Sequence, residues 1–338
     1  VASTPPSTFG PPSLWLLVDI EFVEGKIDGP EAVEAWEGAI KDALRTDDHW
    51  PSIFDALYFP IAQRRARGEA THTNIECAGI VISPAPSQGG RTANVELKFL
   101  GDAHRFAPRV LHALSERLSS NKGVGVRAAR GVISRLRVWS VSDWSDVRMP
   151  LPMEQDAFVN LLKPPAELGG WRGNDGGAAD GRRIVMIRTT SRWILRSDGK
   201  SLHQPPTFEQ LLNLAANRIC RVQAAWGNGD PVLNHGDLGD HDMRLVACEW
   251  KRVSKSLGSG RRSARYPADG HAGCLSFEGN AAPAKIELLH AARFFHVGQR
   301  TTLGLGGYDI HVEPLGRGAT SARLPSRRAA DNVGSRRG

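Results

Sequence analysis

Apolar and polar positions alternate or cycle along the chain in two similar series. LWLLVDIEFVEG, residues 14–25, is dense in apolar residues and alternates toward its end, which predicts a strand. GPEAVEAWEGAIKDALRT (29–46) places Val33, Trp36, Ile40 and Leu44 at helical spacing behind Pro30, a residue suited to a first helical turn. After a short segment around DDHWPSIFDALYF come two strands, 75–83 and 93–100, a helix over 105–118, a glycine turn in NKGVGVRAARG, and a strand over 132–141. The order is βαββαβ.

A second series repeats it. A strand is predicted over 181–195, a long amphipathic helix over 206–226, two strand arms over 243–255 and 272–279, a helix over 281–295 and a final strand in GGYDIHVEP. The glycine-rich turn HVGQRTTLGLGGY links that last helix and strand. The fold class expected is α+β: two tandem ferredoxin-like (RRM-like, βαββαβ) modules with a C-terminal glycine-rich loop. The boundaries read as a disordered N-terminus at 1–13, a first module at 14–147 and a Pro/Gly/Asp-rich linker at 148–181. A second module at 182–314 and a basic disordered tail at 315–338 complete the chain.

Charge changes the picture less than its total implies. The chain of 338 residues carries a net +7, but Arg317, Arg323, Arg327, Arg328, Arg336 and Arg337 against Asp331 place +5 in the tail alone. Only local basic clusters therefore speak for nucleic acid. KRVSKSLGSGRRSARY supplies Lys251, Arg252, Lys255, Arg261, Arg262 and Arg265 with no acid, and a supple loop of this kind tracks a phosphate backbone while Tyr266 stacks on a base. A second run without acids, Arg127, Arg130, Arg135 and Arg137, surrounds the first module's glycine turn. The four cysteines are widely spaced and read as reduced thiols. No signal-peptide pattern and no apolar run of membrane length occur, so the expectation is a cytoplasmic protein without a membrane partner.

Three readings compete for the glycine-rich turn. A nucleotide cradle needs strand, glycine loop and helix in that order, and here the loop follows a helix and enters a strand, with no lysine in place. A plain connector is the second. In the third, Gly298, Gly304 and Gly306 bring backbone N–H groups to RNA, with Arg300 and Thr301 as further donors and His296 as a base for a 2′-hydroxyl. Elsewhere NHGDLGDHD, 234–242, gathers enough oxygen and nitrogen for a metal-dependent phosphotransferase, but the partner segments of that chemistry are missing, and a solvated loop is the simpler reading.

Together, VELKFLGDAHRFAPRVLHALSE followed by KGVGVRAARG, the basic RRSARYPADGHAGCLSFEG, and HVGQRTTLGLGGY closing the second module resemble one family across most of residues 75–312. It is the family of CRISPR-associated endoribonucleases that process precursor CRISPR RNA, the sixth CRISPR-associated protein of the RAMP superfamily. The resemblance implies cleavage within CRISPR repeats without metal or other cofactor, by 2′-hydroxyl attack that leaves a 2′,3′-cyclic phosphate and a 5′-hydroxyl. It implies repeat RNA, as precursor and mature guide, and other effector-complex subunits as partners. The base it implies is His296 or, in the first module, His49, with Arg300 and the arginines at 261, 262 and 265 as phosphate partners. A catalytically silent RAMP subunit that only binds CRISPR RNA is the alternative.

Overall fold

The computed structural model describes residues 9–27, 32–46, 51–69, 76–85, 91–125, 128–140, 143–148, 150–152, 154–171, 182–197, 200–227, 233–253, 256–259, 262–267, 269–299, 301 and 305–315. The first series gives β1 (Leu14–Glu24), α1 (Ala32–Thr46), α2 (Pro51–Tyr58), α3 (Pro60–Ala66), β2 (Ile80–Ala85), β3 (Thr92–Phe99), α4 (Ala107–Ser119), β4 (Arg130–Ser140) and β5 (Asp143–Val147). Its sheet is antiparallel in the order β2-β3-β1-β4-β5, the ferredoxin-like arrangement with one added edge strand. Alternation decides which face is which. Leu14, Leu16, Val18, Ile20 and Phe22 of β1 are buried, as are Val95, Leu97 and Phe99 of β3, where they meet Trp36, Ile40 and Leu44 of α1 and Val110, Leu111 and Leu114 of α4 in one core. Trp15, Asp19, Glu96 and Lys98 take the opposite face by the same parity.

After α5 (Pro165–Leu168), the second series gives β6 (Arg182–Thr189), the short strands β7 (Arg196–Ser197) and β8 (Lys200–Ser201), and α6 (Phe208–Trp226). Then follow β9 (Arg244–Val253), the hairpin β10 (Ser256–Ser259) and β11 (Arg262–Pro267), β12 (Gly270–Asn280), α7 (Pro283–Phe295) and β13 (Tyr308–Pro314). The sheet order β13-β6-β12-β9 repeats the ferredoxin-like pattern. Helix α6 starts on a reciprocal cap, in which Gln210 N donates to Thr207 Oγ1 at 3.1 Å and Thr207 N to Gln210 Oε1 at 2.9 Å. Its apolar stripe, Leu211, Leu212, Ala215, Ile219 and Val222, is buried.

Two sequence expectations need correction, and the segment after α1, to which the pattern assigns no element, folds into two helices, α2 and α3, with Phe54, Leu57 and Ile61 buried in the core. Residues 9–13 are packed instead of disordered: Phe9 is buried and Ser13 exchanges backbone hydrogen bonds with Lys163. The stretch around Lys163 belongs to the presumed linker, yet Phe158, Ala166 and Leu168 are buried, and the Gly169 carbonyl accepts from Arg293 Nη1 at 2.9 Å. Apolar residues spaced among prolines and glycines supply core without any regular period, so periodicity does not reveal them. Residues 1–8, 172–181 and 316–338 lie outside the described residues, including all the tail arginines.

The two modules are locked together. The Trp226 indole donates to the Cys77 carbonyl at 2.7 Å and packs edge-on to Phe106. Arg218 of α6 is buried and reaches Phe295 O at 3.1 Å and Cys77 Sγ at 3.2 Å, while Arg64 donates to Ala224 O at 2.8 Å. Gly101, at φ +54°, lets this contact form, because a Cβ there would stand 2.2 Å from the Trp226 carbonyl oxygen.

Candidate functional site

Helix α7 ends at His296, whose backbone has φ 59° and ψ 150°. That is a region glycine occupies and other residues enter at a cost of about 1–3 kcal/mol. The strained residue is also buried, with 4% of its surface exposed. Its Nδ1 lies 3.3 Å from the Leu305 carbonyl and its Nε2 lies 3.0 Å from Lys98 Nζ of β3. A carbonyl only accepts, so Nδ1 carries the ring proton, and Nε2 then accepts a hydrogen from the lysine.

Lys98 itself is 6% exposed. Its Nζ stands 4.6 Å from the ring centre of Trp15 and 5.6 Å from that of Phe294. Burial pushes its ammonium down to about 8, against the attraction of Glu96, and Arg293 lowers it further. Burial likewise raises the Glu96 carboxyl, with Lys98 and Arg293 acting in the other direction. Arg293 pairs with Asp309 at 2.6 Å. Charged groups from β3, α7 and β13 thus gather where the first sheet's open face meets the second module.

The described part of the glycine-rich turn is stitched to the segment after β6. Gly306 N donates to Arg192 O at 2.9 Å, Val297 N to Gly306 O at 3.0 Å and Gln299 N to Ile194 O at 3.0 Å, while Gly307 N donates to Ser191 Oγ at 2.8 Å. A Cβ on Gly306 would lie 1.8 Å from Val297 O, and one on Gly298 2.7 Å from Ile194 O. These two glycines therefore permit close approach of protein backbone. The Gly306 and Gly307 amides are engaged within the protein instead of pointing outward, and Thr301 is buried. Arg300, Thr302 and Gly304 lie outside the described residues, as does His49.

The two basic clusters differ. Lys251 and Arg252 are exposed on β9, an edge strand open along most of its length, and Arg252 pairs with Asp269. Arg262 and Arg265 lie on β11, in register with Ser259 and Gly258 of β10, while Lys255 and Arg261 fall outside the described residues. The run on β4 is free of acids only along the chain. In space Arg130 pairs with Glu24, Arg135 with Asp146 at 2.6 Å, and Arg137 reaches both oxygens of Asp19 at 2.6 and 2.8 Å. The Arg135 guanidinium holds the Asp146 carboxyl below the usual carboxylate range. Neighbouring strands β1 and β5 supply these acids, which a linear reading of β4 cannot see. Arg127 lies outside the described residues.

In NHGDLGDHD, both histidines turn to one carboxylate on α6. His241 Nε2 lies 2.8 Å from Glu209 Oε2, and His235 Nε2 lies 3.4 Å from Glu209 Oε1 and 2.9 Å from Asn213 Oδ1. Asp242 accepts from the Asn280 backbone N–H. The motif ties a loop to a helix, and among the described residues no group of three His, Cys, Asp or Glu side chains is placed to hold a metal ion. No helix of the described residues is long and apolar enough to cross a membrane.

No protein-family profile matches the chain, and no curated protein matches it. Solved structures do. A partial Cas6-RT-Cas1–Cas2 complex superposes with a TM-score of 0.55 at 14% identity, over 96% of this chain and 49% of that one. This chain therefore spans about half the length of that one. Thermus thermophilus Cas6 aligns at 14% identity over 89% of this chain and 98% of its own, with a TM-score of 0.48. The fold defines an α+β protein of two tandem ferredoxin-like modules. That fold is shared with the Cas6-RT-Cas1–Cas2 chain.

Proposed function

We propose that this chain is a Cas6-like endoribonuclease that cuts precursor CRISPR RNA within its repeats and keeps hold of the product as a subunit of a larger assembly. The observation that carries the reading is the pair of docked ferredoxin-like sheets, a fold that covers 96% of the chain in its match to a Cas6-containing protein. The exposed basic edge at Lys251 and Arg252, continued by the hairpin that bears Arg262 and Arg265, supports a polyanionic partner.

In the proposed reaction a base takes the proton of the 2′-hydroxyl 5′ of the cut, and that oxygen bonds to the adjacent phosphorus. The bond from phosphorus to the 5′ oxygen breaks, and this oxygen takes up a proton. The products are a 2′,3′-cyclic phosphate and a 5′-hydroxyl. General acid–base help of this type contributes on the order of 10² to 10⁴ in rate, and cationic donors such as Arg300 stabilise the charge that builds on phosphorus. The nucleophile belongs to the RNA, and the reading needs neither metal nor cofactor.

His49 and His296 are the candidate bases. The occupied Nε2 of His296 favours His49 for proton abstraction and gives His296 an orienting role. The same observation favours a second reading, a subunit that binds CRISPR RNA without cutting it.

Incubation with cognate repeat RNA in EDTA separates the two. The first reading expects a product with a cyclic phosphate end, lost when a single 2′-deoxy nucleotide stands 5′ of the scissile phosphate. Continued cutting of the deoxy substrate refutes the chemistry, and binding without product selects the silent subunit. His49→Ala should slow single-turnover cleavage at least tenfold and more than His296→Ala does.

A further inference from the structure

Lys98 is absent from every cluster that the sequence singles out, yet it occupies a buried polar position at the junction of the modules. Its strand, β3, runs through the first sheet between β2 and β1, and its parity would send the side chain to open solvent if the first module stood alone. Instead the end of α7 covers it. The ammonium is enclosed by Trp15 and Phe294 and directed at His296 Nε2, 3.0 Å away. The ring's other nitrogen faces the Leu305 carbonyl, so a single tautomer satisfies both contacts. Glu96 from the same strand, Arg293 from α7 and Asp309 from β13 are the charged groups that act on the lysine.

We propose that Lys98 is a positioning residue for the RNA site: it fixes His296 as the Nδ1-protonated neutral imidazole and so ties the glycine-rich turn of the second module to the sheet of the first. The inference rests on the endoribonuclease reading for its consequence but not for its geometry. His296 closes α7 in a backbone conformation that ordinary residues avoid, and the two described ends of the turn meet at that point, where the ring faces the Leu305 carbonyl and the Val297 amide donates to Gly306 O. A lysine that holds the ring holds the start of the turn. Gln299, whose amide donates to Ile194 O, and the buried Thr301 follow within five residues, so the described start of the turn takes its place from an anchor in the other module. Cleavage should accordingly respond to Lys98 although its side chain is 6% exposed and shielded from a bound RNA.

The test uses the full chain labelled with ¹⁵N-histidine, the His296 signals being identified by their loss in His296→Asn. At pH 7 without RNA, His296 is expected as the Nδ1–H tautomer, and Lys98→Met is expected to shift the Nε2 resonance and mix the tautomers. An Nε2–H tautomer in the unaltered protein, or an Nε2 signal unmoved by Lys98→Met, overturns the proposal. Single-turnover cleavage of repeat RNA supplies the second arm. Lys98→Met should lose tenfold or more, and Lys98→Met combined with His296→Asn should be no slower than the slower single variant. Losses that multiply show the two residues acting separately and also overturn it. If the spectra behave as expected and no protein cuts RNA, the positioning geometry stands and the endoribonuclease reading fails.

Discussion

Replacing Trp226 by alanine tests the docking of the two modules most directly. The indole is 3% exposed at the C-terminal end of α6, and what it touches belongs to the other module: the Cys77 carbonyl and the ring of Phe106. Truncating a buried tryptophan costs about 3–5 kcal/mol. Leaving the Cys77 carbonyl without its donor adds about 1–3 kcal/mol. A total loss of about 5 kcal/mol is expected, a large share of the roughly 5–15 kcal/mol that stabilises an ordinary domain. Trp226→Phe keeps most of the packing and removes the donor, so its loss should be about 1–3 kcal/mol. Urea unfolding followed by far-ultraviolet circular dichroism gives both values. Because the lost contacts cross the junction, the alanine variant should unfold in two steps, the less stable module first. A loss under 2 kcal/mol with one unbroken transition would refute the view that this side chain holds the modules together.

Other expectations follow from single sites. Gly101→Ala forces a Cβ to within 2.2 Å of the Trp226 carbonyl at a positive φ and should cost at least about 2 kcal/mol in the same unfolding assay. Lys98 keeps its proton to about 8 in the fold, against 10.5 ordinarily, so between those values the unfolded chain holds more protons and stability rises with pH. Relative to Lys98→Met, the unaltered protein should gain about 2 kcal/mol from pH 8 to pH 10, and a constant difference across that range contradicts the shift. Tyr58 and Tyr308, both raised by burial, act with the opposite sign only above their ordinary value of 10. Asp19→Asn frees Arg137 from its carboxylate. If the first sheet's face lies within reach of RNA, the salt dependence of binding should steepen by about 0.7 in logarithmic slope, and an unchanged slope places the RNA elsewhere.

The fold was legible because each module's strands and main helices carry their own period. β1 alternates, α1 and α6 cycle, and the two series match in order, so the four-strand frame of each sheet follows from the pattern with ends shifted by up to six residues, while the added edge strand β5 does not. Helices α2 and α3 escaped because eight and seven residues are too few to display a period, and a proline begins each. The candidate site was less legible. Alternation in VELKFL places Lys98 correctly with Glu96 on the face opposite Val95 and Leu97, but nothing local reports that a helix some two hundred residues later will cover that face. The same limit explains the arginines of β4, whose acids come from adjacent strands, and the glycines at 298 and 306, whose neighbours are the carbonyls of Ile194 and Val297. A signal for Lys98 did exist: an ordinary polar face has no use for a tryptophan directly opposite a lysine, and Trp15 pairs with Lys98 across β1 and β3.

The covering of that face also sets an order of events during synthesis. Residues 14–147 complete the strands of the first sheet and bring Trp139 and Trp144 against Trp15, but Phe294 and His296, which close over Lys98, arrive only with the end of α7. At roughly 5–20 residues per second, translation from β3 to the end of α7 takes on the order of ten to forty seconds. Throughout that interval the nascent first module presents an aromatic and charged face with no lid. A ribosome that stalls between the modules, or a protease that clips between them, releases a half-molecule with that face bare, a substrate for chaperones and a seed for aggregation.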